Sequence, residues 1–480
     1  MSAEEMIART DLTRRSVLGV AAGGVALAGL GSLSACATGG GGGSQTENSG
    51  GGEEKTDDNP FGVKKTDPVE AVIFDGGYGT DYGAEHVKLY NAWAGGEVAK
   101  MTVTTKIATE LQPRFAGGNP PEVFDNSGAD AMPSAKLVSE KQLADLSELL
   151  DAPTVDDPSM KIRDLLMSGT EQAGSFDGKM HLLNYVFSMW GFWYSSKTFE
   201  ENGWTVPKTW DEFLGLCEKI KSAGKMAPFI HTGVHTQYML AIMTGMATKH
   251  GGDEVRKNLD NLTPDAWKND SMLAVAKAIK QLQEGDFIFK GSEGLDHTTS
   301  QTEWLLGKAA IIPCGSWLEN EMKGKVPDGF DMKVMPTPSL ADDKMPLEAL
   351  RGGAGEPFAI SQNSKNRAGG LEYLRQMLSK AGTSKFAELT GSLAAIKDAG
   401  KELKDPTTAL QSVADASAAA GENIFEIKFD TWYSDIKNVG KDQVRNLMHG
   451  NSTPEQFCEE MQKVADKVKS DPKVTKYTAS

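Results

Sequence analysis

Val69-Glu70-Ala71-Val72-Ile73-Phe74-Asp75 (VEAVIFD) is a short run dominated by apolar residues, and its continuation as far as Asp125 decides the fold. It reads as a buried first strand, with Gly76-Gly77-Tyr78-Gly79 as the loop behind it. Asp81 to Ala94 has helical periodicity, with Val87, Tyr90 and Trp93 as candidate core contacts. Met101–Thr105 is a second strand, and a helix comes next around Thr109–Phe115. Gly117-Gly118-Asn119-Pro120-Pro121 then leads into Glu122-Val123-Phe124-Asp125, a third strand. Strands alternating with helices at this spacing predict parallel α/β layering.

Helix starts are marked further along the chain. Thr209-Trp210-Asp211-Glu212 is a capping box opening a helix over Trp210–Lys221. Thr453-Pro454-Glu455-Gln456 is another, with proline at the first helical position, and its helix carries Phe457, Met461, Val464 and Val468 on one stripe. At 480 residues the chain can bury large cores. Its 50 basic against 66 acidic side chains give −16, and residues 1–35 hold three of each sign, so the remainder keeps the whole imbalance. An acidic body argues against nucleic acid, which calls for a basic patch, and against docking on anionic lipid.

Residues 1–36 are the most specific stretch. Arg14-Arg15 stands just ahead of an uncharged, glycine-rich apolar run from Ser16 to Ala35, which closes with Leu33-Ser34-Ala35-Cys36. This resembles a twin-arginine export signal joined to a lipobox, in which cleavage precedes a cysteine that receives the lipid. The competing reading, a true membrane span, is weakened by the glycines. The tract from Gly39 through Asn59 is low in complexity and reads as a flexible tether. Beyond Cys36, three cysteines remain, Cys217, Cys314 and Cys458; an odd number at unpatterned spacing reads as buried free thiols, not a disulfide framework.

The catalytic signatures are missing: there is no G-x-x-x-x-G-K-[ST] loop, no G-x-S-x-G elbow and no H-E-x-x-H pair. The seven histidines do not cluster, so no metal or cofactor is expected. Acidic pairs abound, and most read as solvated surface. What stands out is aromatic residues beside turns and strand ends. Tyr185 to Tyr194 (YVFSMWGFWY) holds six aromatics in ten, Trp317 lies just after a strand and a turn, and Trp432-Tyr433 lies near the C-terminus. Pyranose rings offer an apolar face that Trp and Tyr stack upon and a hydroxyl rim that polar groups bind. Core packing is the better reading for Trp93, Trp204, Trp210, Trp267 and Trp304, whereas Trp317, Trp432 and Trp190 are candidates for ligand.

At these residues the chain resembles the extracellular sugar-binding proteins of ABC importers, the family that includes maltose-binding protein. The resemblance runs from about Val69 to Val468. It is carried by Pro121-Glu122-Val123, Gly178-Lys179-Met180-His181, Trp193-Tyr194-Ser195-Ser196-Lys197, Pro207-Lys208-Thr209-Trp210-Asp211-Glu212-Phe213, Gly307-Lys308-Ala309-Ala310-Ile311, Gly315-Ser316-Trp317 and Ser364-Lys365-Asn366, in that order. Glu122 and His181 depart from the family's Asp and Tyr. The resemblance implies an α/β, two-lobed periplasmic-binding-protein-like fold with crossover hinges and a C-terminal helical region. It implies lobe 1 as 68–187 plus 333–395 and lobe 2 as 188–332 plus 396–480, after a signal at 1–35 and a lipidated linker at 36–67. Ligand contacts carried over are Tyr78, Asp125, Asn126, Ser188, Trp190, Tyr238, Trp317, Gly353 and Trp432.

Within the family, the Phe187–Phe213 and Gly-Ser-Trp segments look most like lipoproteins binding N-acetylglucosamine and diacetylchitobiose. The implied protein is a non-enzymatic, lipid-anchored monomer on the extracellular face of the cell membrane, passing sugar to ABC permease subunits. A binder of another oligosaccharide, of peptides or of metal ions, and a lipid-anchored glycosidase, are the alternatives.

Overall fold

In the computed structural model, Val69–Phe74 forms strand β1, followed by helix Asp81–Ala94, strand β2 (Ala99–Thr104), helix Ile107–Ala116 and strand β3 (Val123–Asp125). The structure describes residues 52–479 apart from 129, 168 and 404, so the signal at 1–35 and the anchor at Cys36 lie outside the described residues. β1 lies between β2 and β3 and is parallel to both, as the alternation predicts. Its Val69, Ala71, Val72 and Ile73 are all buried, as a strand covered on both faces requires.

The sheet continues with six further strands: β4 (Leu182–Ser195), β5 (Ala227–Phe229), β6 (Ala309–Gly315), β7 (Met332–Met335), β8 (Leu350–Ile360) and β9 (Ile424–Phe425). Among the described residues they join β1–β3 in one nine-stranded mixed sheet, in the order β2-β1-β3-β8-β4-β6-β5, with β7 on β4 and β9 on β8. The aromatic run is thus a single 14-residue strand, β4. Its first half, up to Met189, pairs antiparallel with β8, and its second half, from Trp190, pairs antiparallel with β6 and β7. β8 crosses in the opposite sense, from β9 at Leu350–Arg351 to β3 at Phe358–Ile360.

Each side of this crossing has its own core. One gathers Ile73, Tyr90, Tyr185, Phe358 and Phe386; another gathers Phe192, Phe213, Met243, Trp267, Ile279 and Phe457. The fold is the two-lobed α/β arrangement of periplasmic binding proteins. The two capping boxes form as read, with Thr209 and Thr453 each exchanging bonds with the third helical residue. Cys217, Cys314 and Cys458 are free and buried. No helix among the described residues is long and apolar enough to cross a membrane.

Two expectations are corrected. The chain does not return to the first half of the sheet near Lys333, because β7 pairs with Phe192–Ser195 on the far side of the crossing. The return is made along β8, where Gly352–Gly355 face Met189–Val186. The body also begins before Asp67. Phe61 and Val63 are buried in the first core, and Asn59 braces them by donating to the Val63 carbonyl (2.9 Å) and accepting from its N–H (2.8 Å). The Arg375 guanidinium donates to the carbonyls of Asp57 and Asp58. Composition hides this docking, which uses backbone groups, the Asn59 amide and the apolar side chains of Phe61 and Val63.

Candidate functional site

Where β4 and β8 cross, they wall a cavity of about 510 Å³. Six of the expected residues line it. Ser188 and Trp190 come from the point at which β4 changes partners, Gly353 from β8, and Tyr78 from the loop after β1. Tyr238 comes from helix Gln237–Gly251, and Trp317 from the turn after β6.

Three of these rings form one edge-to-face cluster. Trp190 lies 4.8 Å from Trp317 and 5.2 Å from Tyr238, centroid to centroid, at 88° and 79°; Tyr238 and Trp317 are 5.9 Å apart at 84°. Such contacts hold each ring by its neighbour's edge and fix the wall's shape before any ligand arrives. The Trp317 indole lies directly over Gly315, where an added Cβ would stand 2.1 Å from the ring. The turn itself is tied to β4: the Ser316 N–H donates to the Met189 carbonyl (2.9 Å), and the Met189 N–H donates to the Ser316 hydroxyl (3.2 Å). Gly352, Gly353 and Gly355 leave room for the crossing, since a Cβ on Gly352 would meet the Ser188 carbonyl at 3.0 Å.

Asp125, Asn126 and Trp432 are not brought to the wall. Asp125 ends β3 wholly buried, accepting from the hydroxyls of Ser127 (2.5 Å) and Tyr82 (3.3 Å). Asn126 is committed to its own loop, donating to the Met132 carbonyl (2.9 Å) and the Ser134 hydroxyl (3.1 Å) and accepting from the Met132 N–H (2.9 Å). The Trp432 ring packs against Tyr477 at 5.4 Å with the Lys428 ammonium over it, while its neighbours Asp430 and Thr431 line the cavity.

Sequence reasoning missed the charged lining: Glu321, Arg351, Glu356, Glu426 and Asp430. Arg351 donates to Asp430 (2.6 Å) and to the Thr244 hydroxyl (2.8 Å), bridging β8 to two helices, Phe429–Trp432 and Gln237–Gly251. Glu356 sits in the left-handed region at φ 55°, which costs a side-chain-bearing residue about 1 kcal/mol or more. Burial, and then the Asp125 carboxyl it hydrogen-bonds, push the Glu356 carboxyl well above the usual range. Burial lifts Asp125 to about 6. Two carboxyls bonded to one another share a proton and leave no room for a sugar between them, as a glycosidase pair would need.

Glu426 allows a pH test. Burial pushes its carboxyl up to about 8, against the opposing pull of Lys428, whereas the unfolded chain loses that proton near 4.5. Its contribution to stability is therefore complete below about 4.5 and is lost as pH rises toward 8. His86 and His231, held near 4 by burial, act in the opposite sense only below about 6.5. Lys249, lowered by burial to about 8, opposes Glu426 near the top of the range but does so equally with or without Glu426. The thermal midpoint of Glu426→Gln is expected to fall less between about pH 6.5 and 8.5 than that of the parent. Equal falls in the two proteins would show that Glu426 is ionised throughout.

Residues 86–384, well over half of the chain, match the family of bacterial extracellular solute-binding proteins. The diacetylchitobiose binding protein NgcE of Streptomyces coelicolor is 37% identical over 479 residues, covering 98% of this chain and 99% of that protein. The multiple sugar-binding protein of Streptococcus mutans is 24% identical across 49% of this chain and 56% of its own length. Among solved structures, a chitin oligosaccharide binding protein overlays with a TM-score of 0.65 at 19% identity, covering 83% of this chain and 98% of that one, a likeness of fold. With the crossing strands and interlobe cavity already in place, these matches settle the assignment: the chain belongs to the bacterial extracellular solute-binding protein family.

Proposed function

We propose that this protein is the sugar-capturing component of an ABC importer, and that it takes N-acetylglucosamine or a short chito-oligosaccharide such as diacetylchitobiose into the cavity between β4 and β8. The observation that carries the reading is the Trp190–Tyr238–Trp317 cluster, a rigid aromatic wall suited to the C–H face of a pyranose. Beside it, Tyr78, Ser188 and the polar groups of β8 offer hydrogen bonds to hydroxyls or an acetamido group. The full-length relative named for binding diacetylchitobiose supports the choice of ligand. In this reading Tyr78, Ser188, Trp190, Tyr238, Trp317 and Gly353 contact the sugar, and Asp125 positions Glu356. Capture is closure of the lobes about β4 and β8, followed by delivery to the permease without chemistry on the ligand.

Titration calorimetry of the full chain with N-acetylglucosamine, diacetylchitobiose, cellobiose and maltose tests this. Binding of either of the first two is expected; binding of cellobiose or maltose alone overturns the ligand, and binding of none overturns the sugar reading. Monosaccharide released from the dimer would overturn binding without catalysis.

The same reading makes 1–35 a twin-arginine signal and Cys36 the lipid anchor. We place the tether at about 36–52, lobe 1 at 53–187 plus 356–395, and lobe 2 at 188–352 plus 396–480, acting as a monomer. In a native expression host, Cys36→Ala is expected to shift the protein from the membrane fraction to the culture fluid and to abolish labelling with radioactive palmitate. A variant that stays in membranes and still labels would show that Cys36 is not the anchor.

A further inference from the structure

Carboxyl groups from both lobes converge on the Tyr78 end of the cavity. Tyr78 hydrogen-bonds Ser188, and its hydroxyl lies in the electrostatic field of Glu356, Glu321 and Asp125. Glu356 and Asp125 belong to the β3–β8 side; Glu321 comes just after Trp317 on the other side, and a Cβ on Gly77 would come within 3.7 Å of the Glu321 side chain. Among the described residues no lysine or arginine ion-pairs with any of the three. The charged neighbour of Glu356 is Asp125, and that of Glu321 is His297 at 3.6 Å, while the Gln301 amide donates to the other Glu321 oxygen (2.5 Å). The cationic side chain on the cavity wall, Arg351, is already committed to Asp430 and Thr244.

This corner therefore draws no lysine or arginine from the described residues of the protein itself. Buried carboxylates are left either to repel a neighbouring carboxyl, as Glu356 and Asp125 do, or to take up protons, and burial does raise both Glu356 and Glu321. A cation from the ligand would remove both penalties, and a primary ammonium has three donors for the acceptor oxygens gathered here. The second observation narrows the kind of cation. The trio of rings occupies the same chamber, so the group arrives on something with an apolar, ring-shaped face. No set of three or more His, Cys, Asp or Glu side chains among the described residues could hold a metal ion.

We propose that the Tyr78 end of the cavity is a cation subsite seating the ammonium of a 2-amino-2-deoxy sugar, so that de-N-acetylated chito-oligosaccharides are ligands as well as acetylated ones. This rests on the sugar-binding reading. Glu356 and Glu321, one on each side of the cleft, bind the ammonium together and draw the lobes closed, while the ring carrying it lies against the aromatic wall. Protons held by the two carboxyls leave as the ammonium enters.

The test is calorimetry of the full chain near pH 6.5, where a sugar amine is protonated, with three dimers of the same β-1,4 frame. These are chitobiose with both amines free, diacetylchitobiose, and cellobiose with hydroxyls at those positions. The diamine is expected to bind at least about tenfold more tightly than cellobiose and with net proton release, read from the heats in two buffers of different ionisation enthalpy. In Glu356→Gln and Glu321→Gln the affinity ratio of diamine to diacetylated dimer is expected to fall at least about tenfold. Glu356→Gly serves as a second variant, since glycine accepts the left-handed backbone at φ 55° while removing the same carboxyl. A diamine that binds no better than cellobiose, or a ratio unchanged in all three variants, overturns the subsite. If diacetylchitobiose binds and the diamine does not, the sugar-binding reading stands and the subsite falls. If none of the three dimers binds, both fall.

Discussion

Trp317→Ala is expected to weaken sugar binding by roughly 2–4 kcal/mol, about thirty- to a thousandfold in Kd. The indole is held by three neighbours. It lies over the Gly315 backbone, meets Trp190 edge-on at 4.8 Å and faces Tyr238 at 5.9 Å. Truncation removes one stacking surface and also the contact that orients the other two rings, which is why the loss should exceed that of one exposed aromatic. Gly315→Ala gives an independent route to the same result. Its methyl would stand 2.1 Å from the ring, so the indole must swing away although every aromatic atom is kept. Trp432→Ala is the contrasting case: its ring packs on Tyr477 and Tyr433, and its truncation is expected to change affinity by less than about 0.5 kcal/mol. Calorimetry on all three, with unfolding midpoints to confirm that each is folded, decides the matter. A change below about 0.5 kcal/mol for Trp317, or a larger one for Trp432, would mean the two rings have been assigned the wrong way round.

The parts of this site legible in the sequence are those whose local signal and structural role coincide. Val69–Phe74 is largely apolar because both its faces are covered, so strand and burial are read together. Trp317 announces itself because Gly315 and Ser316 make the turn that presents it. Glu356, Arg351 and Glu426 carry no such signal. A carboxylate buried in a cavity is the same letter as one on the surface, and the partner that distinguishes Arg351 is Asp430, 79 residues away. Asn126 stands on a loop beside the site, but its amide spends all its bonds on Met132 and Ser134. Trp432 is covered by Tyr477, from the far C-terminal end. Four residues at Met332–Met335 can pair as a strand on either side of the crossing, and only register, fixed by long-range packing, puts them beside Phe192–Ser195.

Arg375→Ala is expected to destabilise the protein by roughly 3–5 kcal/mol, the range found when one partner of a buried ion pair is removed. Its guanidinium is 3% exposed and its partner Glu372 is fully buried, at 3.0 Å. The same group donates to the backbone carbonyls of Pro153 (2.8 Å) and Asp57 (3.0 Å), with longer bonds to Asp58 and Thr154. Alanine leaves Glu372 buried with the Gln376 amide for company and strands several carbonyls away from water. Burial already lifts Glu372 to about 7 with Arg375 working against it, so the variant should hold that proton to higher pH and lose more stability above neutrality than below. Release of Asp57 and Asp58 adds a local effect: protease should cut near residues 53–63 in the variant under conditions that spare the parent. Sugar affinity is expected to stay near that of the parent, because Arg375 and its partners line no part of the cavity. A stability loss below about 1 kcal/mol would show that water reaches the pair and satisfies what alanine leaves behind. Glu372→Gln combined with Arg375→Met should recover part of the loss, since it removes the buried charge along with its partner, and the carbonyls left unpaired then account for what remains.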